Sequence, residues 1–225
     1  LDFMFEGQSL IWVLMPMGIA AMLACSFQAI FQTDVKRMLA YSSVAQVGYI
    51  LLGVSLGTAA GVAAGMFHLV NHAIIKGALF MAVAAVVLAH KGTTLNDFRG
   101  LGRTAPLTMT AFGIAALSLI GVPLTAGLQS KFAFVTALLE SGWLWGALIL
   151  MFSSVLAVIY MGRILEIVFF RAPLNPNKPH DEAPALILIP LWVLALASLA
   201  IGIRGSFVAE LANDAAAAVF MGGVR

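Results

Sequence analysis

Apolar runs long enough to cross a lipid bilayer follow one another along almost the whole chain. A helix needs about 20 apolar residues to cross the hydrocarbon core, and the sequence contains six stretches near or above that length. They lie approximately at residues 8–31, 38–56, 61–89, 105–140, 143–170 and 184–203. Because 62% of the residues are hydrophobic and only 10% are charged, a water-soluble core of this size is excluded. The runs predict an all-α integral membrane protein, a single transmembrane domain over residues 1–225 with about six spanning helices.

The fourth stretch is too long for one straight crossing and contains Gly121, Pro123 and Gly127. Proline removes a backbone donor and glycine loosens a helix, so we expect a broken helix around residues 121–127. Freed backbone carbonyls are tolerated inside a membrane where they are buried in protein or line a hydrated cavity. Since broken helices also form ion sites in transporters, the break and its Thr125 belong to the candidate site.

The third stretch carries His68, His72 and Lys76 at four-residue steps. Side chains four residues apart lie on one face of a helix, so two imidazoles and an ammonium share one line. Lys76 falls near the middle of the span, where a charge costs roughly 2.5 kcal/mol or more and normally faces an ion or proton path. Because imidazole titrates near neutral pH and a buried lysine can exchange its proton, the line predicts a proton relay.

Two other interpretations of the histidines remain open. Their spacing also suits two metal ligands on one helix, but no carboxylate, cysteine or third histidine stands near enough in the sequence to complete a zinc or iron site. Alternatively, both histidines are structural and hydrogen-bond to neighbouring helices. We expect no metal and no cofactor in this chain, and the single cysteine, Cys25, excludes an internal disulfide.

Two further cations fall inside predicted spans. Lys131 follows the break in the fourth stretch by one helical turn, which favours a place in the ion path, although a lysine reaching the outer interface would have the same position. Arg163 lies near the end of the fifth span with Glu166 one turn later. A snorkelling or locally paired arginine explains it better than a role in transport.

A polar stripe crosses the end of the first span and the start of the second. Small and polar residues often join membrane helices, and they also hold water along a proton wire, so both interpretations stay open. The stripe consists of Gln28, Gln32, Tyr41, Ser42, Ser43, Gln46 and Tyr49.

The cationic residues of the loops indicate the orientation. With the spans above, they all fall on one side of the membrane, which the positive-inside rule places in the cytoplasm. Both ends of the chain are then expected outside the cell inner (plasma) membrane. The net charge of +2 is too small and scattered for nucleic-acid binding. The cations are Lys36, Arg37, Lys91, Arg99, Arg103, Arg171 and Lys178.

Three motifs carry a resemblance to a known family. They read QTDVKRMLAYSSVAQVG over residues 32–48, FHLVNHAIIKGALF over 67–80 and GVPLTAGLQSK over 121–131. The sequence resembles the antiporter-like proton-conducting membrane subunits, which include the large membrane-arm subunits of respiratory complex I and the subunits of multi-subunit cation/proton antiporters. The loop at residues 100–106 and the ending after the fifth span look closest to the D-type antiporter subunits.

The resemblance implies roles for the matching residues. Lys76 would be the central-axis lysine, His68 and His72 would link it to neighbouring polar groups, and Lys131 would be the terminal lysine near the exit to the outside. In the stripe, Ser43 and Gln46 would support the relay.

The resemblance also concerns the cytoplasmic end and the extent of the chain. Asp34 and Lys36 would belong to a cytoplasmic-end motif that shapes structure more than it carries protons. Family members have about fourteen helices with two inverted repeats of five. This chain resembles the C-terminal repeat plus the last helix, so we expect a C-terminal fragment of a longer chain.

The leading functional hypothesis is a proton-translocating subunit of a multi-subunit Na⁺/H⁺ antiporter, with the bilayer, other membrane subunits, protons and Na⁺ as partners. The alternative is an antiporter-like proton-pumping subunit of complex I (NADH-quinone oxidoreductase) or of a membrane-bound hydrogenase, with all redox cofactors in other subunits. A structural membrane subunit with a degenerate channel is a third hypothesis, which the presence of both Lys76 and Lys131 disfavours.

Overall fold

The computed structural model describes residues 9–173 and 182–221. This part of the chain is helical and contains no strand, only an isolated bridge between Asp34 and Thr94. Lys178 and both chain ends lie outside the described residues. The helices are α1 Ser9–Phe31, α2 Val35–Ser55, α3 Ala59–His90, α4 Leu101–Thr104, α5 Pro106–Ile120, α6 Ala126–Glu140, α7 Leu144–Phe170, α8 Ala185–Arg204 and α9 Ser206–Met221.

The predicted all-α membrane fold is confirmed. Five helices, α1, α2, α3, α7 and α8, are long and apolar enough to cross a bilayer, and α5 is a shorter apolar helix. The α3 helix is the longest, with 32 residues, or about 48 Å at 1.5 Å per residue. It packs against α2, α5, α6, α8 and α9 and therefore forms the centre of the bundle.

The long fourth stretch folds as two half-helices, α5 and α6, of 15 residues each. Gly121 ends α5 in the left-handed region with φ 92°, a conformation that glycine adopts without penalty. Its N–H donates to the Leu117 and Ser118 carbonyls, while the Val122 N–H donates to Leu117 O at 3.1 Å. This arrangement is a Schellman end, and it leaves the carbonyls of Leu119 and Ile120 free for other donors.

The start of α6 differs from the sequence expectation. We expected Gly127 inside the break, but α6 begins at Ala126, so Gly127 lies in its first turn. There it approaches α5 so closely that a Cβ atom would collide with the Ser118 carbonyl. In the same way, a Cβ on Gly202 of α8 would collide with the backbone of Leu124. The break is therefore enclosed by close backbone contacts on two sides.

The α2 helix begins earlier than predicted, at Val35, because Asp34 caps it. The Asp34 carboxylate accepts the Arg37 N–H at 2.9 Å and the hydroxyl of Thr93 from the α3–α4 loop. Partial burial opposes ionisation, but the hydrogen bonds from Thr93 and the Arg37 backbone outweigh it, so the pKa of Asp34 is lowered. Asp34 thus joins α2 to the loop, whereas the Lys36 side chain is exposed.

The close approach at Gly127 predicts a stability effect. Gly127→Ala should lower the free energy of unfolding by about 1–3 kcal/mol, because the new methyl group meets a backbone oxygen that cannot rotate away. Gly162→Ala is the matched control, since a Cβ at that α7 position meets nothing within 4 Å. It should leave stability unchanged or raise it by up to about 1 kcal/mol. Thermal unfolding of the protein in a lipid or detergent environment measures both, and equal stability of the two variants would contradict the packing.

Candidate functional site

Lys76 lies in the middle of α3 and is 5% exposed. Its Nζ donates to the Leu39 carbonyl of α2 at 2.9 Å and to the hydroxyl of Ser42. We expected Ser43 in support, but Ser43 turns its hydroxyl to Leu39 O at 3.0 Å, and Ser42 is the residue that contacts the ammonium. Neutral acceptors of α2 therefore hold Lys76.

His68 joins three helices through both of its ring nitrogens. Nε2 lies 2.9 Å from Gln46 Oε1 on α2, and Nδ1 lies 2.9 Å from Ser130 Oγ on α6. The ring packs between Tyr49, with centroids 5.6 Å apart, and Phe134, edge-on at 5.3 Å. The imidazole is thus buried and oriented from every side.

The partners of His68 suit two protonation states. Because Gln46 presents an oxygen to Nε2, that nitrogen carries a proton and Nδ1 of the neutral ring accepts from Ser130. When Nδ1 is protonated, it donates to Ser130 instead. The Ser130 hydroxyl can then turn to the carbonyl of Ala126 or Gly127, each at 3.3 Å. The site can accept a proton on His68 without leaving a ring nitrogen unpaired.

Lys131 is also 5% exposed and points inward to the break. Its Nζ donates to the carbonyls of Leu119 at 3.1 Å and Ile120 at 2.7 Å, the free groups at the end of α5. The ammonium also lies 5.8 Å from the ring centroid of Tyr49, within cation–π range. Thr125 does not hold Lys131; its hydroxyl closes the turn of the break by donating to Val122 O at 2.6 Å.

His72 lies between the two lysines along the site. Its ring stacks toward His68 with centroids 6.3 Å apart, and its buried Nδ1 has no hydrogen-bond partner among the described residues. A narrow crevice lined by His72, His68, Ser118 and Lys131 joins these groups. The crevice brings His72 and His68 beside Lys131, while Lys76 follows His72 by one turn on the same face of α3.

Sequence reasoning missed some members of the site. Ser42 was predicted only as a member of the polar stripe. Its contact with Lys76 is indicated by the helical spacing of Ser42, Gln46 and Tyr49 on one face of α2, a face that Ser43 does not share. Ser130 and Asn71 gave no such signal. Asn71 of α3 donates to the Ala126 carbonyl at 3.0 Å, a contact between residues 55 apart that periodicity does not reveal.

Arg163 lies outside this line of residues. Its guanidinium donates to the carbonyls of Ile30 at 2.9 Å and Gln32 at 3.4 Å and so closes the end of α1. Glu166, the expected local partner, pairs instead with Arg171 at 2.7 Å.

Within the described ranges, no three His, Cys, Asp or Glu side chains gather as a metal site would require. Both nitrogens of His68 are already hydrogen-bonded to protein groups. The site therefore consists of two amines, two imidazoles and the hydroxyl, amide and carbonyl groups around them. Such groups can pass protons.

Comparisons with known proteins identify the family of this chain. The family model described as "NADH:quinone oxidoreductase/Mrp antiporter, TM" matches residues 1–157. NADH-quinone oxidoreductase subunit N 1 of Solibacter usitatus is 37% identical over 94% of this chain. The chain spans 43% of the length of that relative.

Solved structures share the fold. A chain of the Mrp complex from Dietzia sp. superposes with a TM-score of 0.89 at 28% identity, covering 96% of this chain and 48% of that one. A chain of the archaeal membrane-bound sulfane sulfur reductase superposes with a TM-score of 0.84 at 36% identity, covering 93% and 42% respectively. The chain belongs to the antiporter-like membrane-subunit family shared by NADH:quinone oxidoreductases and Mrp antiporters.

Proposed function

We propose that this chain forms the proton-conducting C-terminal part of an antiporter-like subunit in a redox-driven membrane complex of the NADH-quinone oxidoreductase type. The observation that carries the proposal is a pair of buried lysines, Lys76 and Lys131, with His72 and His68 stacked near them in the centre of an apolar bundle.

The surroundings of the two lysines support proton exchange. In the described part of the chain, neither ammonium has a carboxylate within 4 Å, and the one ion pair joins Glu166 to Arg171. A buried charge without a counter-charge is expensive to maintain. Both amines contact only neutral hydroxyl or carbonyl groups, so no fixed negative charge locks their protons in place. Such lysines can change protonation state as a proton passes.

The proton path runs from Lys76 through His72 and His68 to Lys131. His68 and Ser130 share a hydrogen bond that can reverse direction, but Ser130 bonds onward to the Ala126 and Gly127 carbonyls and not to Lys131. Among the described residues, no direct hydrogen bond makes any of the three steps from Lys76 to His72, from His72 to His68 or from His68 to Lys131. We infer that water enters the crevice there as the complex works, since buried polar groups in membranes are satisfied by protein or by ordered water.

The curated relatives favour the complex I-type alternative over the D-type antiporter subunits that the sequence motifs suggested. Relatives at 37% and 38% identity are NADH-quinone oxidoreductase subunits N. A Na⁺/H⁺ antiporter subunit remains the second candidate. It is supported by the close superposition on a chain of the Mrp complex. Both candidates use the same lysines, and they differ in what drives the proton.

The proposed function also implies the partners, the membrane and the orientation of the chain. Other membrane subunits of the complex are its partners, and the plasma membrane is its location. The cationic loops, with Asp34 and the start of α2, lie on the cytoplasmic side, so Lys131 leads to the outside. The remainder of the subunit would supply the other half of the path, because this chain spans 43% of a curated relative.

Vesicles that contain the complete complex test the driving force. With an electron donor such as NADH present, we expect proton translocation that stops when the donor is withheld and does not depend on Na⁺. Dissipation of an imposed pH gradient by Na⁺ alone, without donor, would contradict the redox-driven proposal and favour the antiporter candidate.

Substitution of the lysines tests the relay. Lys76→Ala should reduce proton translocation to less than about a tenth while the complex still assembles, because the central proton carrier is lost. Lys131→Ala should also impair it, whereas Arg163→Ala, the matched control at an exposed cation, should not. Normal translocation by Lys76→Ala would refute the relay. Loss of assembly in that variant would instead favour a structural lysine.

A further inference from the structure

The half-helix α5 has an opposite charge bound at each of its ends. At its start, Glu182 accepts the N–H groups of Leu107 at 2.6 Å and Thr108 at 3.1 Å, and the Thr108 hydroxyl at 2.7 Å. At its other end, the Lys131 ammonium binds the last two carbonyls of the same helix. Glu182 comes from the segment that precedes α8 and is absent from the relay described above.

The local sequence explains why a distant residue caps α5. The first N–H groups of a helix lack partners inside the helix, and a Ser, Thr, Asp or Asn at the N-cap position usually satisfies them. In α5 that position is Ala105, which has no side-chain acceptor, and Pro106 follows it. Glu182 reaches the unpaired groups of Leu107 and Thr108 from 75 and 74 residues away.

Both charges bind polar groups of α5. Neither Glu182 nor Lys131 takes part in an ion pair among the described residues. A helix carries partial positive charge at its N-terminus and partial negative charge at its C-terminus. The carboxylate and the ammonium therefore each bind the end that favours them, about 20 Å apart at 1.5 Å per residue.

Within the described ranges, the helices packed around α5 and α6 carry the following titratable groups. The centre of α3 carries His68, His72 and Lys76, α6 itself ends at Glu140, and the Tyr49 ring of α2 faces Lys131. The α5 helix has no titratable residue, and α8 has only Arg204, at its last position. The α4 helix, which packs against α5, carries the exposed Arg103. The titratable residues of α7 are in its second half: Tyr160, Arg163 and Glu166.

We propose that Glu182 is a positioning residue for Lys131. Its carboxylate fixes the start of α5 and, through that helix, favours the protonated form of the Lys131 amine at the other end. This inference rests on the proposed role of Lys131 in proton translocation. It makes the cytoplasmic-side loop before α8 a determinant of the terminal proton step.

The test is the pH profile of donor-driven proton translocation in vesicles with the complete complex. Glu182→Gln keeps an oxygen that can accept an N–H but removes the charge. At about 20 Å and an effective dielectric constant of about 20, this loss should move the alkaline limb of a profile measured at low ionic strength by up to about half a pH unit to lower pH, and added salt should reduce the shift by screening the half-buried carboxylate. Glu166→Gln, the control at an exposed carboxylate, should leave the limb in place.

Two further variants separate charge from structure. Thr108→Val keeps the charge of Glu182 and should lower thermal stability without moving the limb. Leu107→Glu adds a carboxylate at an exposed position in the first turn of α5 and should move the limb to higher pH, which keeps the test decisive if Glu182→Gln fails to assemble.

An unchanged limb in assembled Glu182→Gln, or in Leu107→Glu if that variant alone assembles, would overturn the inference. The proposed function would still stand if Lys131→Ala abolished translocation in the same vesicles. Full translocation by Lys131→Ala would instead remove the proposed function, and the inference would fall with it.

Discussion

The hydrogen bonds from Lys131 to the free carbonyls at the end of α5 are the contact on which the rest of the site depends. They exist because Gly121 ends the helix in a Schellman turn and leaves the Leu119 and Ile120 carbonyls without partners inside the membrane. An ammonium satisfies both carbonyls, and the carbonyls in turn satisfy the ammonium. Unpaired carbonyls at the break would cost free energy in lipid, and here they bind the Lys131 ammonium at the C-terminal end of α5.

An ammonium also binds a backbone carbonyl at the other end of the proposed relay. Lys76 also binds a backbone carbonyl, that of Leu39, and a hydroxyl from the same helix. Between the lysines, His68 is held by Gln46 and Ser130 so that either protonation state is paired. The bundle therefore places four titratable groups in its interior. Lys76, His68 and Lys131 have only neutral partners, and His72 Nδ1 has none among the described residues, an arrangement that suits mobile protons better than fixed ion pairs.

Sequence reasoning predicted the membrane fold because apolar runs of span length constrain it strongly, and it located the break because glycine and proline end helices. It placed Gly127 in the break, but Gly127 lies inside α6. A glycine is needed there because the two half-helices pack too closely for a side chain, and not because the chain turns. The stripe contains both Ser42 and Ser43, and only their places on the helical face of α2 distinguish the serine that contacts Lys76. The contacts of Ser130 with His68 and of Glu182 with α5 join distant segments, so no local pattern predicts them.

The proposed proton path between Lys76 and Lys131 needs water at its steps, because the described side chains do not bond to one another along it and His72 Nδ1 has no partner. A high-resolution density map of the complete complex in a bilayer tests this requirement. We expect ordered water bound to His72 Nδ1 that connects toward Lys76 on one side and toward the His68–Lys131 crevice on the other. An apolar side chain from the rest of the subunit packed directly onto Nδ1, with no water on either side, would contradict the path.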